Sequence, residues 1–171
     1  MRPLPTVPIA ALAVNTYPVA STAGEMFVGS VYKKVTVSNE VQATTGTNTA
    51  SGVSGTVLAI YDPIGASVHS KPASATGYKV LVTTSPSATF LAVAPSYTAA
   101  DRGKWAAFTA ESATGSANPI RGSRASTITL TGYTVTQAAT VPVRIEDQHG
   151  VETGPNGRPV VIVSFNPQSV A

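Results

Sequence analysis

Apolar positions along the chain fall into short alternating or unbroken runs separated by turn residues, the spacing expected of β-strands. From Met26 to Val37 the alternation places Val31, Lys33, Val35 and Val37 on one face. Residues 56–61 (TVLAIY) are apolar on both faces, as in a core strand, and Asp62-Pro63 with Gly65 stops them. Further strands are predicted over 78–84 (YKVLVTT), 89–94 (TFLAVA) and 104–109 (KWAAFT). Thr98-Ala-Ala-Asp101 has the spacing of a capping box, and Gly103 ends that turn after a single helical turn. In the last third, 126–131 and 140–146 alternate cleanly, and 159–165 (PVVIVSF) reads as a buried strand. Val141, Val143, Ile145, Val161 and Val163 are the expected core, and Pro142 predicts that its strand lies at an edge or a bulge. Residues 43–55, the segment from 110 to Ser123, and Glu146 to Gly157 read as polar loops.

Composition sharpens this picture. Alanine, threonine, serine and valine fill roughly half of the 171 residues, whereas only 11% are charged and six are leucine. Residues that favour helices are scarce, while 14 glycines and 13 prolines punctuate the chain. The fold class expected is therefore all-β: a sandwich or small barrel of short antiparallel strands over residues 25–171. Residues 1–24 carry four prolines, which exclude a regular helix and predict an extended Pro-rich N-terminal arm. Its apolar residues Leu4, Val7, Ile9, Leu12, Val14 and Tyr17 are expected to lie against a neighbouring subunit.

Charge and chemistry exclude more than they offer. Eleven Lys+Arg against eight Asp+Glu leave +3, scattered along the chain, which excludes the clustered basic face of a nucleic-acid binder. No run approaches the roughly 18 apolar residues of a membrane span, and Pro3, Pro5 and Pro8 interrupt the only segment resembling a signal peptide. Without cysteine there is no disulfide framework and no thiolate site. His69 and His149 sit apart in loop-like contexts, and no nucleophile elbow, phosphate loop or H-E-x-x-H motif occurs. Glu146, Asp147, His149 and Glu152 form the best metal candidate but lack a regular ligand spacing, so a solvated acidic hairpin tip is the preferred reading. Trp105 reads as a core anchor, and Arg121 and Arg124 as contacts at a protein interface. Neither a catalytic site nor a cofactor is expected.

The order of features from Val57 onward resembles the small head decoration, or cement, proteins of tailed bacteriophages. The features are GTVLAIYDP, YKVLVTTSPSATFLAV, YTAADRGKWAAF, ITLTG, ATVPVRIED and PVVIVSFN. The closest parts are Ala99-Ala100-Asp101-x-Gly103 and the run from Ala139 to Ile145. Ser85-Pro86 replaces an acidic pair, and Asn166-Pro167 replaces the terminal N-x-H of the family pattern. The resemblance covers the last two thirds of the chain. It implies a non-enzymatic structural virion protein, assembled in the host cytoplasm and bound to the capsid exterior. Its partners would be the major capsid protein and other copies of itself, a trimer being the expected homo-oligomer, with no nucleic acid and no membrane. The alternative is a β-rich tail, fibre or baseplate module that binds a host surface. The two differ in their aromatic residues: a receptor binder gathers Trp105, Tyr78, Tyr97 and Tyr133 in an exposed patch, and a cement protein buries them.

Overall fold

The computed structural model describes residues 2–3, 13–35, 37–43, 55–83, 88–109, 113–114, 125–126, 129–138, 141–153 and 157–166. In chain order the first strands are β1 (Arg2–Pro3), β2 (Val14–Pro18), β3 (Met26–Phe27), β4 (Val31–Val35), β5 (Glu40–Ala43), β6 (Gly55–Tyr61), β7 (Ser67–Val68) and β8 (Ser70–Lys71). They are followed by β9 (Lys79–Thr83), β10 (Thr89–Val93), β11 (Trp105–Phe108), β12 (Ala113–Thr114), β13 (Ala125–Ser126), β14 (Leu130–Thr134), β15 (Val143–Thr153) and β16 (Pro159–Phe165). One 3-10 turn, Ala99–Asp101, separates β10 from β11. The chain is all-β, with antiparallel ladders, as its composition predicts.

Two larger sheets organise the strands. Sheet I has the order β1-β10-β16-β15-β11-β14, and sheet II the order β2-β9-β6-β4-β5 with β7 added beside β6. Along sheet II each neighbour runs antiparallel, so the fifth strand, β5, runs in the direction of the first. An odd number of alternating strands closes only through one parallel contact. Val19, one residue beyond β2, makes that contact as a parallel bridge to Val41, and the Ala20 N–H donates to the Val41 carbonyl at 2.9 Å. Sheet II thereby curls towards a small barrel, filled by Tyr32, Val57, Ile60, Val80 and Val82 among others.

The period of two along β4 explains how the sheets meet. Tyr32 points into the barrel core, and Val31, its neighbour, is fully buried in the core of sheet I. Val14, at the start of β2, also packs against the sheet I core, which contains Phe90, Ile145, Val161 and Val163. The Phe90 and Phe165 rings meet edge to face there, 5.2 Å between centroids. β13 lies against β3, so the β12–β13 ladder reaches from the second half of the chain to the first.

The arm expectation needs correction over residues 14–23. β2 pairs with β9 along its whole length, and Val19, Ala20 and Ala23 are buried in the barrel. Pro18 is accommodated because it closes β2 at the edge of the ladder, where a missing N–H costs little. Leu4, Val7, Ile9 and Leu12 lie outside the described residues. Three smaller expectations also shift. Val37 does not share the buried face of β4: it is 94% exposed, because the chain leaves the strand at Val35 for a turn in which Asn39 has φ 52°. β15 runs on to Thr153 through the predicted polar loop, past a register shift between Ile145 and Asp147. Pro142 stands just outside β15, which is an interior strand between β16 and β11.

Candidate partner-binding surface

The segments 98–104 and 141–147, which overlap the two stretches that carry the strongest sequence signals, are far apart in the chain and adjacent in the fold. The Gly103 N–H donates to the Ile145 carbonyl and the Ile145 N–H to the Lys104 carbonyl, each at 2.8 Å. The tight turn before them depends on local chemistry. Asp101 reaches back to Thr98, whose N–H and hydroxyl both donate to Oδ2 at 2.8 Å. Lys104 Nζ approaches the other carboxylate oxygen at 2.8 Å. Gly103, at φ 79°, then turns the chain into β11 through a conformation that other residues rarely adopt.

Side chains reinforce the junction. Arg102 Nε donates to the Glu146 carbonyl at 3.3 Å, and its guanidinium meets the Asp147 carboxylate at 3.1 Å. Arg144 Nε donates to the Gly103 carbonyl at 3.5 Å, and its guanidinium lies 3.7 Å from Glu146, which also accepts the Ser164 hydroxyl. Exposed ion pairs of this kind contribute about 0.2–1 kcal/mol each. The backbone bonds therefore fix the junction, and the pairs orient the two arginines. Arg102, Lys104 and Arg144 balance Asp101, Glu146 and Asp147, so the junction sets up no one-sided field.

The Lys104 ammonium, the Thr98 hydroxyl and the Thr98 N–H, in that order of effect, hold the Asp101 carboxyl down to about 2. A carboxyl depressed in the folded state stabilises it above the ordinary carboxylate range and loses that contribution as pH falls towards its folded pKa. Thermal melts should show Asp101→Asn less stable than the parent at pH 7. The difference should shrink between about pH 4 and pH 2, where the parent protonates. A pH-independent difference would mean that the carboxylate is not what holds the turn.

Trp105, Tyr78, Tyr97 and Tyr133 are all half-buried, neither fully enclosed nor fully exposed. Tyr97 and Tyr133 pack against the sheet I core, Tyr78 and Tyr17 against the barrel core. Trp105 is not the core anchor its isolation predicts. It is half-buried opposite Arg144 and Thr134, on the face of β11 away from Ala106 and Phe108, which enter the core. Of the expected arm contacts, Val14 and Tyr17 are half-buried on the protein's own cores, and Lys34 Nζ stands 5.0 Å over the Tyr17 ring. Arg121 and Arg124 lie outside the described residues.

Of the metal candidates, Glu146 and Asp147 are engaged as above and the Glu152 side chain lies outside the described residues, which contain no group of three His, Cys, Asp or Glu side chains able to hold an ion. His69 is exposed and His149 half-buried. The buried polar residues that matter most escaped sequence reasoning. Lys71 is fully buried, and its Nζ donates to the carbonyls of Pro72 and Ala23 at 2.9 and 3.3 Å. Burial lowers its pKa. Asn166, also fully buried, ties the loop before β15 to the end of β16. No helix among the described residues is long and apolar enough to cross a membrane. No protein-family model, curated protein or solved structure matches the chain.

Proposed function

We propose that this chain is a structural virion protein, a head decoration or cement protein that binds the outer surface of an icosahedral phage shell and strengthens contacts between major capsid protein subunits. It acts without catalysis or cofactor and associates with further copies of itself, most simply as a trimer. The observation that carries this reading is the junction of 98–104 with 141–147. Ala99–Gly103 and the described part of the run that ends at Ile145, the segments most similar to the decoration family, are joined there by backbone bonds, which supports reading them as one structural unit. An all-β body with short turns suits the task, because a cement protein contributes rigid contact area and little else.

Trp105, Tyr78, Tyr97 and Tyr133 are all half-buried, so their exposure does not separate this reading from the alternative tail, fibre or baseplate module. The test is addition of the purified protein to shells that lack it. Saturable binding and shell survival to a higher temperature are expected. Binding to tails or host cells, with none to shells, would replace the cement reading by the alternative.

A further inference from the structure

Among the described residues, large apolar side chains stand out from the surface at Val28, Val37, Ile64 and Val135. A single exposed apolar side chain is ordinary on a protein surface, but Ile64 is set apart by how its backbone is held. It lies at the tip of the β6–β7 hairpin, which the pairs Ile60↔Val68 and Tyr61↔Ser67 close. Within the tip the Asp62 N–H donates to the Ala66 carbonyl at 2.9 Å, and the Gly65 N–H to the Asp62 carbonyl at 3.0 Å. Oδ1 of Asp62 accepts from the N–H groups of Ile64 and Ala66 at 3.1 and 2.8 Å. Gly65, at φ 88°, supplies the left-handed conformation that the turn needs. Pro63 rests on the loop before β9, so closely that a Cβ at Gly77 would come 3.2 Å from its ring. On this braced tip Ile64 is 90% exposed.

We propose that this tip is a docking knob, anchored by Ile64, that seats in a small apolar recess on the surface of the major capsid protein. The choice of partner rests on the function proposed above. The chemistry of the tip defines the recess. Residues 63–67 (PIGAS) are all exposed and carry no charge. The Asp62 carboxylate is half-buried and turned to the tip's own N–H groups. The complement is therefore an apolar recess, because a polar or charged group covered by Ile64 would be left without a partner. Four hydrogen bonds fix the backbone of the tip before contact, so docking orders little more than one side chain. Val37, 94% exposed, stands in a looser turn where the Ser38 N–H reaches the Val35 carbonyl at 3.4 Å, and it serves as the control.

The test compares Ile64→Asp and Val37→Asp with the parent chain for binding to shells that lack it, with melting temperatures taken on the same samples. Both side chains project into solvent, so both variants should melt with the parent. Ile64→Asp should bind shells about tenfold more weakly or worse, the loss expected when a charge replaces a seated apolar anchor. Val37→Asp should stay within about twofold of the parent. Should Ile64→Asp melt early, Ile64→Ala takes its place, with a loss of several-fold expected. Parent-like shell binding by the Ile64 variant, or an equal loss in the Val37 variant, would overturn the knob and leave the decoration reading standing. Failure of the parent itself to bind shells would overturn that reading and the partner named here with it. Loss of self-association by Ile64→Asp in sedimentation, with shell binding intact, would place the recess on a second copy of this chain and overturn the capsid protein as its owner.

Discussion

Replacing Gly55 by alanine should lower stability by about 3–4 kcal/mol, a loss of about 10 °C in melting temperature for a chain of this size. Gly55 opens β6 opposite Tyr32, with φ 151°. A Cβ there would lie 2.3 Å from the Thr83 carbonyl oxygen and 2.9 Å from Cε1 of Tyr32. The closer atom belongs to the backbone, so no rotamer relieves the clash, and β4, β6 and β9 would have to separate. The same carbonyl accepts the Tyr32 hydroxyl at 2.9 Å, a buried bond that the separation would break. Burial accordingly pushes the Tyr32 pKa upward. Gly65→Ala is the matched control: φ is 88°, yet nothing lies within 4 Å of its added Cβ, so only the backbone cost remains, about 1 kcal/mol. Chemical denaturation of both variants checks the account, and equal losses would mean that the close approach at Gly55 carries no energy.

Asn166→Asp should cost about as much, on the order of 4 kcal/mol, and the cost should depend on pH. The Asn166 Nδ2 donates to the carbonyls of Ala138 and Val141 at 2.9 Å each, and its Oδ1 accepts from Gln137 Nε2 at 2.9 Å. The Asn166 N–H also donates to the Pro142 carbonyl at 2.7 Å. An aspartate would set an oxygen against two carbonyl oxygens in a fully buried position, which disfavours the charged form and raises the folded-state pKa of the new carboxyl. The deficit should therefore be smallest below about pH 4, where both folded and unfolded states are protonated, and grow as pH rises until the folded carboxyl ionises. Asn166→Ala removes the donors without adding charge and should cost about 2 kcal/mol at every pH. Melting curves of the two variants from pH 3 to pH 8 separate these expectations.

Five of the longer strands were legible in the sequence because apolar runs bounded by Gly, Pro and Ser fix strand position within a residue or so. β6, β9, β10, β11 and β16 all fall where those runs predict. The capping-box spacing at 98–101 likewise locates the turn that Asp101 holds. What stayed hidden depends on contacts between distant segments. Four prolines make residues 1–24 read as an arm, and only the β2–β9 ladder reveals that 14–18 form a strand and 19–23 enter the barrel. The far half of β15 reads as loop because the register shift after Ile145 breaks its alternation. Lys71 and Asn166 look like surface residues, and only the carbonyls gathered around them explain their burial. The junction of 98–104 with 141–147 is non-local in the same sense: each half is visible in the sequence, their contact is not.

The most direct test of the decoration reading is an electron-microscopy map of particles that carry this chain, at a resolution that traces its backbone. The account predicts density for the all-β body on the outer face of the icosahedral shell, repeated at symmetry-related positions and touching more than one capsid subunit. Density confined to the tail or baseplate, with a bare shell, would contradict it.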